Sequence, residues 1–300
     1  MAASAGHRRR REQRLTRMQR HDDDFAGFNE TKASFDEVYN EPDPRRYYRA
    51  LGALDYRIPT EAKPVLEKVI AALDRRPVSI ADIGCSYGVN AALLRYDLEF
   101  SDLVARYRAR RLREESVAEA IFDDAAFFSD APKSVDAQFT GVDIAKEAVG
   151  YAKAVGLVEE AVAENLEERL LSQEGASALA STDLIISTGA VGYVTEKTFA
   201  RVIDAVDGPP PWVAAFCLRQ FPFDAIAAEL EGFGLRTEKL EGRYFQQRRF
   251  KDAEERAAAI AAVAALGLDP DGLEADGAYY AEFYLAKPVG APPIAEVVRL

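Results

Sequence analysis

The stretch VSIADIGCSYGVNAALL at residues 78–94 constrains the fold more than any other part of the chain. It reads as a short apolar strand running into Asp82, a turn carrying Gly84 and Gly88, and a helical Ala/Leu run. A buried strand that turns through glycines into a helix brings backbone N–H groups and a helix N-terminus to the carboxyl end of the strand, a place built to receive a ligand. Because glycine turns are common, the surrounding chain has to decide what this one is for.

Around that turn, strand and helix signals alternate. Residues 61–73 read as an amphipathic helix leading into the first strand, and 96–133 as a charged helical insertion after it. Strands are then predicted at 137–142, at 159–166, at 183–187, at 212–219 and around 235–242. A helix through AEERAAAIAAVAAL and an aromatic terminal strand, YYAEFYLAKP, close the chain. Thr195 reads as the N-cap of a helix over 195–205. The alternation predicts an α/β fold: a doubly wound, mostly parallel, seven-stranded Rossmann-like sheet with its site at the carboxyl ends of the strands. The long connection before the terminal strand predicts that this strand runs antiparallel. Three regions follow: a disordered basic tail at 1–21, an N-terminal helical and aromatic lid at 22–60, and the sheet domain at 61–300. Phe28, Phe35 and Tyr39 fall on one face of a lid helix, which Pro42 and Pro44 then break.

Several function classes are excluded by composition. Both histidines, His7 and His21, precede any apolar pattern, which removes the commonest general base and most transition-metal sites from the body. Cys85 and Cys217 form neither a CxxC pair nor a metal-spaced cluster and read as buried small hydrophobes, so no metal is expected. Residues 1–20 carry about +6, leaving about −18 on the rest, a balance that argues against a nucleic-acid partner. No apolar run approaches the roughly 20 residues needed to span a bilayer, so a cytoplasmic protein without a membrane partner is expected.

Four motifs, in this order, resemble the class I S-adenosylmethionine-dependent methyltransferases over roughly residues 60–290. ADIGCSYG at 81–88 is similar to the family's glycine loop against the methionine part of the cofactor. FTGVDIAKEAVGYA places Asp143 at the second strand tip, where the family's acid accepts both ribose hydroxyls, a task suited to a bidentate carboxylate. AVAENLEE places Asn165 and Leu166 where the adenine is read, and TDLIISTGAVGYV is the fourth strand and the loop that faces the transferred group. The resemblance implies S-adenosyl-L-methionine as cofactor, held by Asp82, Gly84, Cys85, Ser86, Tyr87, Gly88, Asn90, Asp143, Ile144, Asn165, Leu166 and Ser187. It implies methyl transfer to a small-molecule acceptor in specialised metabolism, with Tyr39, Tyr193 and Ser187 as candidate catalytic groups.

Three departures stand out. Ser86 and the bulky Tyr87 replace the plainest part of the loop, 61 residues separate Asp82 from Asp143, and Asn165 stands where an acid is common. The insertion roofs the site or makes a subunit contact, which leaves room for a homodimer. An acceptor that needs a base would have to use Asp36, Glu41 or Tyr193. Two alternatives stay open: an S-adenosylmethionine cyclase, in which the cofactor's own amine attacks its γ-carbon to give azetidine-2-carboxylate and methylthioadenosine, and a non-catalytic cofactor-binding scaffold.

Overall fold

The structure, a computed structural model, describes residues 36–109 and 116–299. The basic tail, Phe25, Phe28, Phe35 and the first part of the 22–60 lid lie outside the described residues. The chain proceeds through α1 (Asp36–Tyr39), α2 (Arg45–Ala53) and α3 (Ile58–Ala72) into β1 (Val78–Ile83) and α4 (Val89–Arg95). The insertion supplies α5 (Phe100–Ala109) and α6 (Val117–Asp130). Alternation then resumes with β2 (Ala137–Val142), α7 (Lys146–Ala154), β3 (Glu160–Val162), α8 (Gln173–Leu179), β4 (Leu184–Thr188), α9 (Glu196–Asp204) and β5 (Trp212–Leu218). Helix α10 (Asp224–Gly232), β6 (Leu235–Lys239), β7 (Phe245–Arg249), α11 (Ala253–Ala265), β8 (Ala278–Pro288) and α12 (Ile294–Val297) complete it.

The strands form one sheet in the order β3-β2-β1-β4-β5-β8-β6, with β7 also paired to β8. Strands β1 to β5 are parallel, and β8 is antiparallel to β5, as the long terminal connection predicts. β1 is buried along almost its whole length, which accounts for its nearly continuous apolar run between two helical layers. Where seven strands are expected from the sequence, hydrogen bonding among the described residues counts eight. The edge strand beside β8 is broken: Leu235 to Lys239 pair with Pro288 to Tyr284, and Phe245 to Arg249 resume along the same edge opposite Ala281 to Ala278. The second piece, FQQRR, carries one apolar residue and gives almost no strand signal in the sequence. Its outer edge is not bare, since Arg57 N donates to Gln247 O and Arg249 N to Leu54 O, both at 2.7 Å.

The insertion packs against the N-terminal helices and α7 through tyrosines. Tyr48 of α2 stacks on Tyr107 of α5 at 4.5 Å, and the Tyr107 hydroxyl meets that of Tyr151 on α7 at 2.9 Å. Tyr151 in turn donates to Asp124 of α6, a fully buried carboxylate that also takes Arg106 at 2.8 Å. Helix α6 starts at a reciprocal cap between Ser116 and Glu119, and α9 at Thr195, whose hydroxyl accepts from Lys197 N.

Candidate active site

Strand order reverses between β1 and β4, so a crevice opens at their carboxyl ends. The turn after β1 lines it. Gly84 and Gly88 sit at φ +74° and +75°, and a side chain on Gly84 would collide with Ala190 Cβ. Ser86 holds a left-handed φ of 49° without being glycine. Its backbone N–H donates to Asp143 Oδ2 at 2.8 Å, while Ala145 N donates to Asp143 Oδ1 at 3.0 Å. One carboxylate thus fixes the β1 turn against the β2 turn. Burial pushes the Asp143 carboxyl up, and the backbone donors of Ala145, Ser86 and Ile144 oppose that shift.

Behind the turn lies a polar set in which Asp82 and Asn90 are buried and Thr188 is half-buried. Asn90 Nδ2 on α4 donates to Asp82 Oδ1 and to Thr188 Oγ1, both at 2.9 Å, and Thr188 Oγ1 lies 3.1 Å from Asn90 Oδ1. Asp82 Oδ2 is buried without a hydrogen-bond partner. Desolvation pushes the Asp82 carboxyl up to about 7, against the pull of the Asn90 hydrogen bond, and the charge of Asp143 adds to the rise. An acid poised between its two forms near neutral pH therefore sits at the root of the crevice.

Tyr87 packs against the segment at 38–41. The ring is fully buried between Tyr47 at 5.1 Å and Tyr151 at 5.7 Å. Its hydroxyl accepts from Glu41 N at 2.9 Å and lies 2.9 Å from Glu41 O and 3.2 Å from Val38 O. Asn40 Oδ1 accepts from Glu147 N of α7 at 2.9 Å. Residues 38–41 are thereby latched to both the β1 turn and the start of α7. Tyr39 sits edge-on to Tyr47 at 5.4 Å. The Glu41 carboxylate pairs with Arg46 at 3.0 Å, and the side chain of Asp36 lies outside what is described.

The remaining expected residues divide by location. Ile144, next to Asp143, leaves an aliphatic side chain largely exposed, whereas Leu166 is buried. The side chain of Asn165 accepts from Glu167 N at 3.0 Å in an Asx turn. Cys85 is buried, and burial pushes its thiol up. Ser187 is fully buried with an unpartnered Oγ, and strand alternation puts it on the sheet face opposite Thr188. It is Thr188, missed from the sequence, that reaches Asn90. Tyr193 is half exposed at the tip of the loop after β4. Among the described residues no cluster of His, Cys, Asp or Glu has the makings of a metal site, and no helix is long and apolar enough to cross a membrane.

No protein-family model matches the chain, and no curated protein does. Solved structures similar to it include methyltransferases. They include a TehB-like SAM-dependent methyltransferase from Corynebacterium glutamicum at 15% identity, covering 75% of this chain and 88% of that one, with a TM-score of 0.38. The plantazolicin methyltransferase BpumL is 12% identical over 87% of this chain and 98% of its own, TM-score 0.38. Haemonchus contortus phosphoethanolamine N-methyltransferase 2 is 13% identical over 86% of this chain and 60% of its own, TM-score 0.42. At such identities and TM-scores, function has to be read from this chain's own residues.

Proposed function

We propose that this protein is an S-adenosylmethionine-dependent methyltransferase acting on a small-molecule acceptor. Asp143 carries the reading. It stands at the tip of β2 beside the switch point, half-buried, with the backbone N–H groups of Ser86 and Ala145 each donating to one of its carboxylate oxygens. A carboxylate offers about four acceptor positions, so capacity remains for a pair of vicinal hydroxyls. The rest of the crevice fits the same cofactor. The buried Ser86 Oγ lacks a hydrogen-bond partner, and Ile144 offers apolar surface to a flat base.

Bound there, S-adenosylmethionine supplies an electrophilic methyl group, which the acceptor's lone pair takes as the sulfonium becomes a neutral thioether. The chain's own contribution is positional. The 38–41 arm, latched by Tyr87, excludes water and brings the ring of Tyr39, held edge-on by Tyr47, toward a cationic centre. Helix α5 packs against α2, the helix that follows that arm. The acidic body supports a small-molecule acceptor over a polyanion.

The test is product analysis. With S-adenosylmethionine alone the protein should form no nucleoside product, and S-adenosylhomocysteine should appear only when an acceptor is added. Methylthioadenosine formed without an acceptor would replace this reading with the cyclase. Asp143→Asn should weaken cofactor binding about 10- to 100-fold in calorimetry, the range for losing hydrogen bonds to a charged group. Unchanged affinity would refute the ribose assignment.

A further inference from the structure

Away from the crevice, a cavity of about 540 Å³ opens where the link between α2 and α3 meets the first turns of α3 and α5. That volume suits a small molecule, and none of the crevice residues described above lines it. Its apolar wall is an aromatic pair, the rings of Tyr56 and Phe100 set edge to face at 5.1 Å. Gly52 lets α2 and α5 close beside this pair, since a side chain there would run into Val104. One end of the cavity is anionic. Glu61, in the first turn of α3, is half-buried; its Oε2 accepts from Gln246 N at 2.8 Å, and no donor among the described residues reaches Oε1. Thr60 Oγ1 accepts from Phe100 N at 3.1 Å, which fastens the foot of α5 to that turn and brings Glu99 to the same end. The guanidinium of Arg57 is committed to Asp55, Nε to Oδ1 at 3.0 Å and Nη2 to Oδ2 at 2.9 Å. Arg108 borders the far end, two turns or about 10 Å along α5 from Ser101. Burial pushes the Glu61 carboxyl up, against the pull of the Gln246 bond and of the Arg57 and Arg243 charges, so a negative charge held there is short of compensation.

We infer that this cavity is a second small-molecule site and that it takes a compact aromatic ammonium, its ring against Tyr56 and Phe100 and its charged nitrogen on Glu61. The inference stands apart from the methyltransferase reading. An ammonium offers only donors, and a half-buried carboxylate is the acceptor that gains most from one. The ring quadrupoles of Tyr56 and Phe100 add to the attraction of a cation. An aromatic carboxylate would set a third negative charge beside Glu61 and Glu99, and an uncharged aromatic would fill the ring space without using Oε1.

The probes are benzylamine, benzyl alcohol and benzoate, titrated by ligand-observed NMR at neutral pH against the full chain without cofactor. Wild type should bind benzylamine about 10-fold or more tightly than either of the others, the preference that one hydrogen bond to a charged group gives. Glu61→Gln keeps an oxygen for Gln246 N and removes the charge. It should lose about 10- to 100-fold in benzylamine affinity and leave benzyl alcohol unchanged. Ala105→Trp fills the cavity from α5 without altering charge and should abolish benzylamine binding, with an unchanged melting temperature in both variants. The second variant separates this cavity from the general attraction of a cation to a chain of net charge −12. Benzylamine binding that is absent, no tighter than that of benzyl alcohol, or undiminished in either variant overturns the inference.

Discussion

Replacing Asp82 by asparagine tests the electrostatics at the root of the crevice. The buried carboxyl titrates near 7 in the folded protein, against an ordinary aspartate value near 4 in the unfolded chain. Its pKa is raised on folding, so the native state binds the extra proton between these values. The associated stability is fully present below about pH 4 and is lost as pH rises through 7. Each pH unit in that window costs about 1.4 kcal/mol, so wild type should lose roughly 3 kcal/mol from this group between pH 5 and pH 8. An asparagine side chain in its place would mimic the protonated acid: one oxygen to accept from Asn90 Nδ2, and an uncharged second end where Asp82 Oδ2 now lies unpartnered. Urea denaturation of both ligand-free proteins at half-unit pH steps gives the difference, with the other carboxylates cancelling. The gap should swing in favour of Asp82→Asn by about 3 kcal/mol from pH 5 to pH 8. A gap constant to within about 0.5 kcal/mol would mean that Asp82 titrates normally, and the assignment of a poised buried acid would fall.

Tyr87→Phe keeps the ring between Tyr47 and Tyr151 but removes the latch on Glu41. Amide exchange at residues 38–41 should speed up and cofactor release should quicken by about 10-fold, consistent with one to two net hydrogen bonds; unchanged rates would separate the arm from the site. Arg219 and Glu274 form an ion pair with both side chains almost fully buried. Glu274→Ala should therefore destabilise by about 3–5 kcal/mol in urea melts, and Arg219→Met with Glu274→Leu should recover most of that.

The parts of the molecule that announce themselves in the sequence are those whose partners are local. The β1 turn, the acid ending β2 and the Thr195 cap all follow from short-range pattern. What was hidden depends on distant partners. FQQRR is a strand because β8 on one side and residues 54–57 on the other satisfy its backbone, and nothing in five mostly polar residues signals either. The question raised by Tyr87 in the cofactor loop is answered by backbone groups 46 and 49 positions away. Choosing between Ser187 and Thr188 needs the strand's phase, and a shift of one residue moves the side chain to the other face. Asn165 spends its side-chain oxygen on its own turn, an Asx role equally readable from the sequence.

The strip of backbone at 54–57 that covers β7 has a consequence for how this chain can be shortened. An exposed strand edge is a template for pairing with another molecule, and natural sheets conceal theirs. Here the concealment comes from the opposite end of the polypeptide, in the bonds of Arg57 to Gln247 and Arg249 to Leu54, with Glu61 also taking Gln246 N at 2.8 Å. Trimming to residue 35 leaves this cover in place. Trimming to residue 60 strips it and leaves β7 open, so the shorter form should self-associate through strand addition while its central sheet stays intact.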